Sequence, residues 1–152
     1  MAQRQHNPQI GWTMTREREQ KLSVAQRRML RKICQTRRSA TEPWMDWIQR
    51  ATDEVLKHMA TFGLESWVVS QRRRKWRWAG IVARLSDDRW TQRSLLWKPE
   101  GGRRNVGRPW ARWTDDIENF IAEFEGQEGN DWFLIAHDAC TWQALESAYS
   151  ER

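Results

Sequence analysis

The sequence contains few cysteines, prolines and glycines, and it has no long apolar run. Its 152 residues include two cysteines, four prolines and eight glycines. Cys34 and Cys140 lie far apart in a chain without an apolar N-terminal stretch. This pattern predicts two reduced thiols in an intracellular protein of the nucleus or cytoplasm. No apolar stretch approaches the roughly 20 residues that cross a bilayer, so no membrane partner is expected.

The scarcity of helix breakers and the spacing of apolar residues predict the fold. Apolar positions recur every three and four residues, which is typical of amphipathic helices. We expect an all-α fold with about six helices in an irregular bundle. Four segments are expected in chain order: a disordered lead at 1–11, a basic helical lobe at 12–97, a Gly/Arg-rich loop at 98–109, and an acidic C-terminal helical hairpin at 110–152.

Charge is strongly segregated along the chain, although the net charge is only +6. Residues 1–41 carry a net +8 and residues 66–113 a net +10, whereas residues 42–65 carry −3 and residues 114–152 carry −9. Basic blocks of this size attract polyanions, because binding releases the counterions condensed on phosphates. RNA or DNA is therefore the expected partner. A well-solvated arginine surface that binds nothing in particular is the alternative.

Two basic segments are predicted to contact the phosphate backbone without reading base sequence. The first segment lies in the third predicted helix and contains Arg72, Arg73, Arg74, Lys75 and Arg77. The second segment lies in and just after the glycine-rich loop and contains Arg103, Arg104, Arg108 and Arg112. For this loop, ion pairing with the acidic residues 114–152 is the alternative interpretation.

Two of the twelve tryptophans are predicted to stack on nucleic-acid bases. Trp76 and Trp110 are embedded among the arginines, and base stacking on an aromatic ring contributes ~1–3 kcal/mol per base. Five other tryptophans are predicted to fill the core: Trp44, Trp78, Trp113, Trp132 and Trp142.

The pair Asp115-Asp116 has a catalytic and a structural interpretation. Paired aspartates hold magnesium in polymerases, but that chemistry needs a third acid and converging strands. Here the pair follows Thr114 and precedes an apolar helical pattern, which favours the first turn of a helix. The cysteines and histidines are too scattered for a zinc site. No catalytic residue, metal ligand or cofactor is therefore predicted.

Six strings resemble, in the same order, the C-terminal tail of RTE-like non-LTR retrotransposon polyproteins. They are QRRMLRKI at 26–33, EPWMDWIQRAT at 42–52, QRRRKWRWAGIVAR at 71–84, DDRWTQRSLLWKP at 87–99, GRPWARWTDDI at 107–117 and WQALESAY at 142–149. Such polyproteins join an endonuclease, a reverse transcriptase and a helical tail. The chain departs from the pattern at Ile81, where the family has histidine, and at Ala139, where it has arginine.

The resemblance implies a fragment, a solo copy or a decayed relic of that tail. No string resembles the polymerase palm or the endonuclease, so the chain is not expected to be an enzyme. The implied role is to hold element RNA or target DNA, and the rest of the polyprotein is an implied partner. Two alternatives remain open: a protein-protein interaction or self-association module, and a retroelement fragment without function.

Overall fold

The computed structural model describes residues 14–86, 90–97, 112–125 and 131–152, and all regular secondary structure in this part is helical. Its helices are α1 Arg16–Ile33, α2 Trp44–Thr61, α3 Trp67–Ala83, α4 Trp90–Leu96, α5 Asp115–Glu125, α6 Trp132–Ile135, α7 Ala139–Ala144 and α8 Glu146–Glu151. The predicted all-α class is confirmed. No helix in the described part is both long and apolar enough to span a bilayer. The predicted lead at 1–11 and the predicted loop at 98–109 lie outside the described residues.

The contacts between residues divide the chain into two compact units. We call Thr15–Ser70 the hairpin unit and Gln71–Arg152 the aromatic unit. The division falls inside α3, and therefore inside the segment 12–97 that the sequence predicts as one basic lobe. Most of α3 is grouped with the acidic C-terminal helices, because the apolar side chains on α3 pack in the same core as α5, α6 and α7.

The helices of the hairpin unit begin and end at residues that favour helix ends. The Thr15 hydroxyl accepts the main-chain N–H of Arg18 at 3.4 Å and caps α1. Pro43 precedes α2, and Gly63, with φ +61°, follows its C-terminal end. Glycine adopts this left-handed conformation without steric cost. The turn between the helices is held by the Trp47 indole N–H, which donates to the carbonyl oxygen of Thr36 at 3.2 Å.

The interior of the hairpin unit is small and partly polar. Ala51 and Val55 are fully buried, and Gln26 of α1 is 5% exposed. The Gln26 amide donates to the carbonyl oxygen of Glu65 and accepts the main-chain N–H of Trp67, each at 3.0 Å. These bonds hold the start of α3 against α1. Breaking them would leave the buried amide without partners and lower the stability of the fold.

The C-terminal part of the predicted hairpin at 110–152 contains three short helices, α6, α7 and α8. The break after α6 has a local cause in Asp138. Its carboxylate accepts the main-chain N–H of Cys140 at 3.0 Å and the hydroxyl of Thr141 at 2.5 Å, so it begins a new helix. Aspartate side chains compete in this way with the hydrogen bonds of a continuous helix. The described part therefore has eight helices instead of about six.

The aromatic unit is built around two stacked tryptophans. Trp76 of α3 and Trp142 of α7 are parallel, with ring centroids 3.7 Å apart. Each indole N–H donates to the main-chain carbonyl oxygen of the other residue, at 2.8 Å and 2.9 Å. Tyr149 and Phe120 pack against the Trp76 ring at 4.6 Å and 5.5 Å. This reciprocal arrangement fixes α3 against the C-terminal helices.

Gly80 permits the close approach of α3 to α7. A Cβ atom at this position would lie 2.5 Å from Nε1 and 2.6 Å from Cδ1 of Trp142. The indole cannot move away easily, since stacking and hydrogen bonds hold it on both sides. The small pair Ala79-Gly80 is thus required by the packing of the aromatic unit.

Candidate nucleic-acid interface

Three of the predicted arginines on α3 lie beside the C-terminal helix α8. The guanidinium of Arg77 binds the Glu146 carboxylate through two nitrogens, with distances between 2.6 and 3.0 Å. Arg73 Nε lies 3.5 Å from the same carboxylate. Arg72 donates to the main-chain carbonyl oxygen of Arg152. The surface of α3 is therefore an ordered arginine cluster that already contacts protein oxygens.

Exposure differs among these arginines. The side chain of Arg77 is 63% exposed and that of Arg73 is 30% exposed. Arg74 is exposed and forms no ion pair with a residue in the described part. The Glu146 carboxylate, in contrast, is only 15% exposed. A phosphate group that displaces Glu146 from Arg77 therefore leaves this carboxylate with Arg73 as its remaining partner.

Lys75 needs a correction, because its side chain is 1% exposed and cannot reach a phosphate. Its ammonium group forms an ion pair with Asp116 Oδ1 and lies 4.7 Å from the centroid of the Trp113 ring. Burial lowers the pKa of Lys75, and the Asp116 carboxylate opposes this shift by favouring the charged form. Lys75 is part of the interior of the aromatic unit.

Trp76 also needs a correction, since the structure places it in the core instead of on a base-stacking surface. Its relative exposure is 0%, and Trp142 covers one face of its ring. On a helix, neighbouring positions differ by about 100° around the axis. The residue between Lys75 and Arg77 can therefore point inward even though its neighbours in the sequence are charged.

Of the tryptophans predicted to fill the core, Trp132 and Trp142 are buried. Trp78 and Trp113 are half-buried and meet edge to face, with centroids 4.8 Å apart. Trp44 is 56% exposed, so its assignment to the core was wrong. It is the first residue of α2.

Four residues of the predicted interface lie outside the described part of the chain: Arg103, Arg104, Arg108 and Trp110. Arg112 is described and half-buried, and its main-chain N–H donates to the carboxylate of Asp115. For the first three arginines and Trp110, phosphate contact and base stacking stay predictions.

Asp115 and Asp116 begin α5, which confirms the interpretation of this pair as a helix start. Asp116 Oδ2 accepts the Tyr149 hydroxyl at 2.8 Å and lies 3.9 Å from Arg152 Nη2. Its Oδ1 binds Lys75. Asp116 therefore joins three helices through a half-buried polar network. In the described residues, no cluster of three or more histidine, cysteine, aspartate or glutamate side chains could hold a metal ion.

The pH dependence of stability should reveal the burial of the Tyr149 hydroxyl beside the Asp116 carboxylate. Burial and the nearby carboxylate raise the pKa of Tyr149 well above its ordinary value of 10.0. Stability from a raised pKa is present below pH 10 and is lost as the unfolded tyrosine ionises above it. We expect Tyr149→Phe to cost about 1.5–3 kcal/mol at neutral pH, since the bond is made to a charged group.

Above pH 10, the difference between wild type and Tyr149→Phe should shrink by ~1.4 kcal/mol per pH unit. Urea unfolding of both proteins between pH 7 and pH 11 measures this difference. Deprotonation of Lys75 changes the free energy of unfolding of both proteins by largely the same amount, so it cancels in the difference. A difference that stays constant up to pH 11 would contradict the burial of the Tyr149 hydroxyl beside Asp116.

Sequence reasoning did not assign Glu146 and Asp116 as partners of the α3 cations. The sequence feature that indicates such partners is the net charge of −9 over residues 114–152, which follow the basic residues 66–113. The sequence suggests pairing between this acidic segment and the loop arginines. The structure shows ion pairs with this segment for Arg73, Lys75 and Arg77 on α3.

Comparison with known proteins gives a partial relationship. The chain is similar to an uncharacterized transposon-derived protein of Caenorhabditis elegans, with 40% identity over 76 residues. The match covers 49% of this chain and 27% of that protein, so the chain spans about a quarter of its relative. No family model matches the chain, and no solved structure matches it. The similarity supports a transposon origin for this sequence.

Proposed function

We propose that the chain is a non-catalytic nucleic-acid-binding module, related to the tail that follows the thumb of an RTE-like non-LTR retrotransposon reverse transcriptase. It holds element RNA or target DNA through phosphate contacts with little sequence readout, in the nucleus or cytoplasm. The transposon-derived relative supports the retroelement origin, and the order of the six strings supports the RTE-like assignment.

The exposed arginines of α3 carry this proposal. Residues 71–84 contain five arginines and one lysine but no acidic residue. Arg74 and Arg77 project from a helix that the stacked tryptophans hold in place, so little side-chain support has to form on binding. The planar guanidinium donates two parallel hydrogen bonds to phosphate oxygens as readily as to the Glu146 carboxylate. Together with the loop arginines, α3 can provide about five phosphate contacts.

Salt dependence tests the proposed function. We expect the chain to bind a labelled single-stranded RNA or DNA with a slope of log affinity against log salt of roughly −3.5 or steeper, as about five released counterions require. Fluorescence anisotropy at several salt concentrations measures the slope. Arg74→Gln with Arg77→Gln should make it less steep by ~1.4.

A peptide nucleic acid with the same bases is a suitable control ligand, because it lacks phosphates. It should not bind. Equal binding of the peptide nucleic acid, a slope near zero, or no binding of RNA and DNA at ~50 mM salt contradicts the proposal.

An interaction or self-association module is the second candidate, and exposed apolar side chains of the hairpin unit favour it. Met45 and Phe62 are each 69% exposed, and Ile33 is 65% exposed. Apolar contacts weaken little with added salt, unlike phosphate contacts. Self-association that persists at ~1 M salt, without binding to oligonucleotides at low salt, would favour this candidate.

A further inference from the structure

We propose that the outer face of α1 and the turn after it form a second binding surface for the phosphate backbone, separate from the α3 arginines. The surface consists of Arg28 and Lys32 on α1 and Arg37 in the turn. It rests on the proposed function for the class of its ligand, a polynucleotide, and adds a site in the hairpin unit.

The cations of α1 lie on one side of the helix. At about 100° per residue, Lys21, Arg28 and Lys32 fall within roughly 40° of one another around the helix axis. The opposite side carries Gln26, which is buried. The sequence has no aspartate or glutamate from residue 20 to residue 41, so this face has no acidic neighbour along the chain.

The described contacts leave this face available. Arg28, Lys32 and Arg37 are exposed and form no ion pair with a residue in the described part. Lys21 differs, because it binds Glu17 at 2.5 Å one turn away. A phosphate can therefore approach Arg28 and Lys32 without displacing a described carboxylate, whereas on α3 it must displace Glu146 from Arg77.

Glu42, which precedes α2, and Glu54 of α2 do not neutralise this face. Glu42 binds the guanidinium of Arg50, with two distances of 2.9 Å, and Glu54 lies 3.9 Å from both Arg50 and His58. The α1 arginine that reaches α2 is Arg31, and it donates to the Thr52 hydroxyl at 3.2 Å.

The position of the turn is also fixed. Arg50 Nη2 donates to the carbonyl oxygen of Arg37 at 3.2 Å, and Trp47 holds the carbonyl oxygen of Thr36. The Arg37 side chain therefore projects from an anchored backbone, four residues beyond the end of α1. Arg28 and Lys32 lie about 6 Å apart along the axis of α1 at ~1.5 Å per residue, and Arg37 follows in the turn, so the three cations can contact successive phosphates.

The chemistry of this face favours a polynucleotide over an anionic membrane. Helices that bind membrane surfaces place a continuous apolar side in the acyl region beside their basic residues. At about 100° per residue, Val24 (45% exposed) lies on one side of the cations, and Met29 and Ile33 (40% and 65% exposed) lie on the other side, so the cations interrupt the exposed apolar residues of α1. Leu22, Gln26 and Leu30 face inward, where they are at least half-buried. Phosphate contacts along a strand need only the exposed cations.

The triple variant Arg28→Gln, Lys32→Gln, Arg37→Gln tests the second surface. We expect the slope of log affinity against log salt for a single-stranded 20-nucleotide DNA to become less steep by ~2, and the affinity at ~0.1 M salt to fall roughly 100-fold. Glutamine has a helix propensity close to that of arginine and lysine, so helicity by circular dichroism should stay unchanged.

A matched pair of single variants controls for charge. Lys32→Gln and Lys57→Gln remove one exposed lysine from α1 and α2, respectively. Only Lys32→Gln should lower the affinity, by roughly five-fold at ~0.1 M salt.

The possible failures are distinguishable. If the wild-type chain binds but the triple variant keeps its slope, the second surface is wrong and the proposed function stands. If the wild-type chain binds no oligonucleotide at low salt, both fail. If Lys32→Gln and Lys57→Gln lower the affinity equally, the effect depends only on net charge and the proposed second surface is wrong. Tighter binding to phosphatidylserine vesicles than to DNA would assign the face to a membrane instead.

Discussion

Trp76→Ala is expected to lower the free energy of unfolding of the aromatic unit by about 3–5 kcal/mol, as truncation of a buried tryptophan does. The substitution removes a fully buried ring that contacts Trp142, Tyr149 and Phe120. It also removes the indole N–H that binds the carbonyl oxygen of Trp142. Total stabilities of ~5–15 kcal/mol leave little margin for such a loss. Urea unfolding followed by circular dichroism measures it.

Trp90→Ala is the matched control for Trp76→Ala. Trp90 lies on α4 in the same unit and is 78% exposed, so the same chemical change should alter stability by less than about 0.5 kcal/mol. Similar losses for the two variants would contradict the central position of Trp76. A variant of Trp76 that kept full stability but lost nucleic-acid binding would restore the base-stacking interpretation.

Asp116→Asn is expected to cost about 3–5 kcal/mol, because it leaves the buried Lys75 ammonium without its counter-charge. The Lys75 side chain is 1% exposed, so water cannot replace the lost partner. The asparagine can still accept the Tyr149 hydroxyl, which separates the charge effect from that hydrogen bond. Urea unfolding at pH 7 gives the difference in stability.

Two comparisons isolate the ion pair of Lys75 and Asp116. Asp53→Asn, on the exposed surface of α2, should change stability by less than about 0.5 kcal/mol. In the double variant Lys75→Met, Asp116→Asn, no unpaired charge stays buried, so its cost should be less than the sum of the single costs. Strict additivity of the two single variants would show that the side chains do not interact.

Much of the fold could be predicted from local sequence signals. Thr15, Pro43 and Gly63 determine where α1 and α2 begin and end, and each acts on its own neighbourhood. The break between α6 and α7 also has a local signal, since Asp138 caps α7. A cap inside an apolar helical pattern is easily overlooked, because the pattern continues across the break.

The candidate site was less predictable, since it depends on contacts between distant residues. The charge of Lys75 favours a phosphate ligand, yet the side chain lies in the interior of the aromatic unit. Its partner Asp116 lies 41 residues further along the chain. Trp76 was assigned to the surface because its neighbours are basic, but the ring that covers it, Trp142, comes 66 residues later. Composition and local spacing identify neither the Lys75–Asp116 ion pair nor the Trp76–Trp142 stack.

The most direct test is a nuclear magnetic resonance titration of the intact chain with a single-stranded oligonucleotide. The side-chain Nε–H signals of Arg74 and Arg77 report on the proposed interface, Arg28 reports on the second surface, and the indole N–H of Trp76 reports on the core. We predict that the arginine signals shift at low salt and return at high salt, whereas the Trp76 indole signal stays in place. Arginine signals that never move, or a Trp76 signal that moves first, would contradict the account.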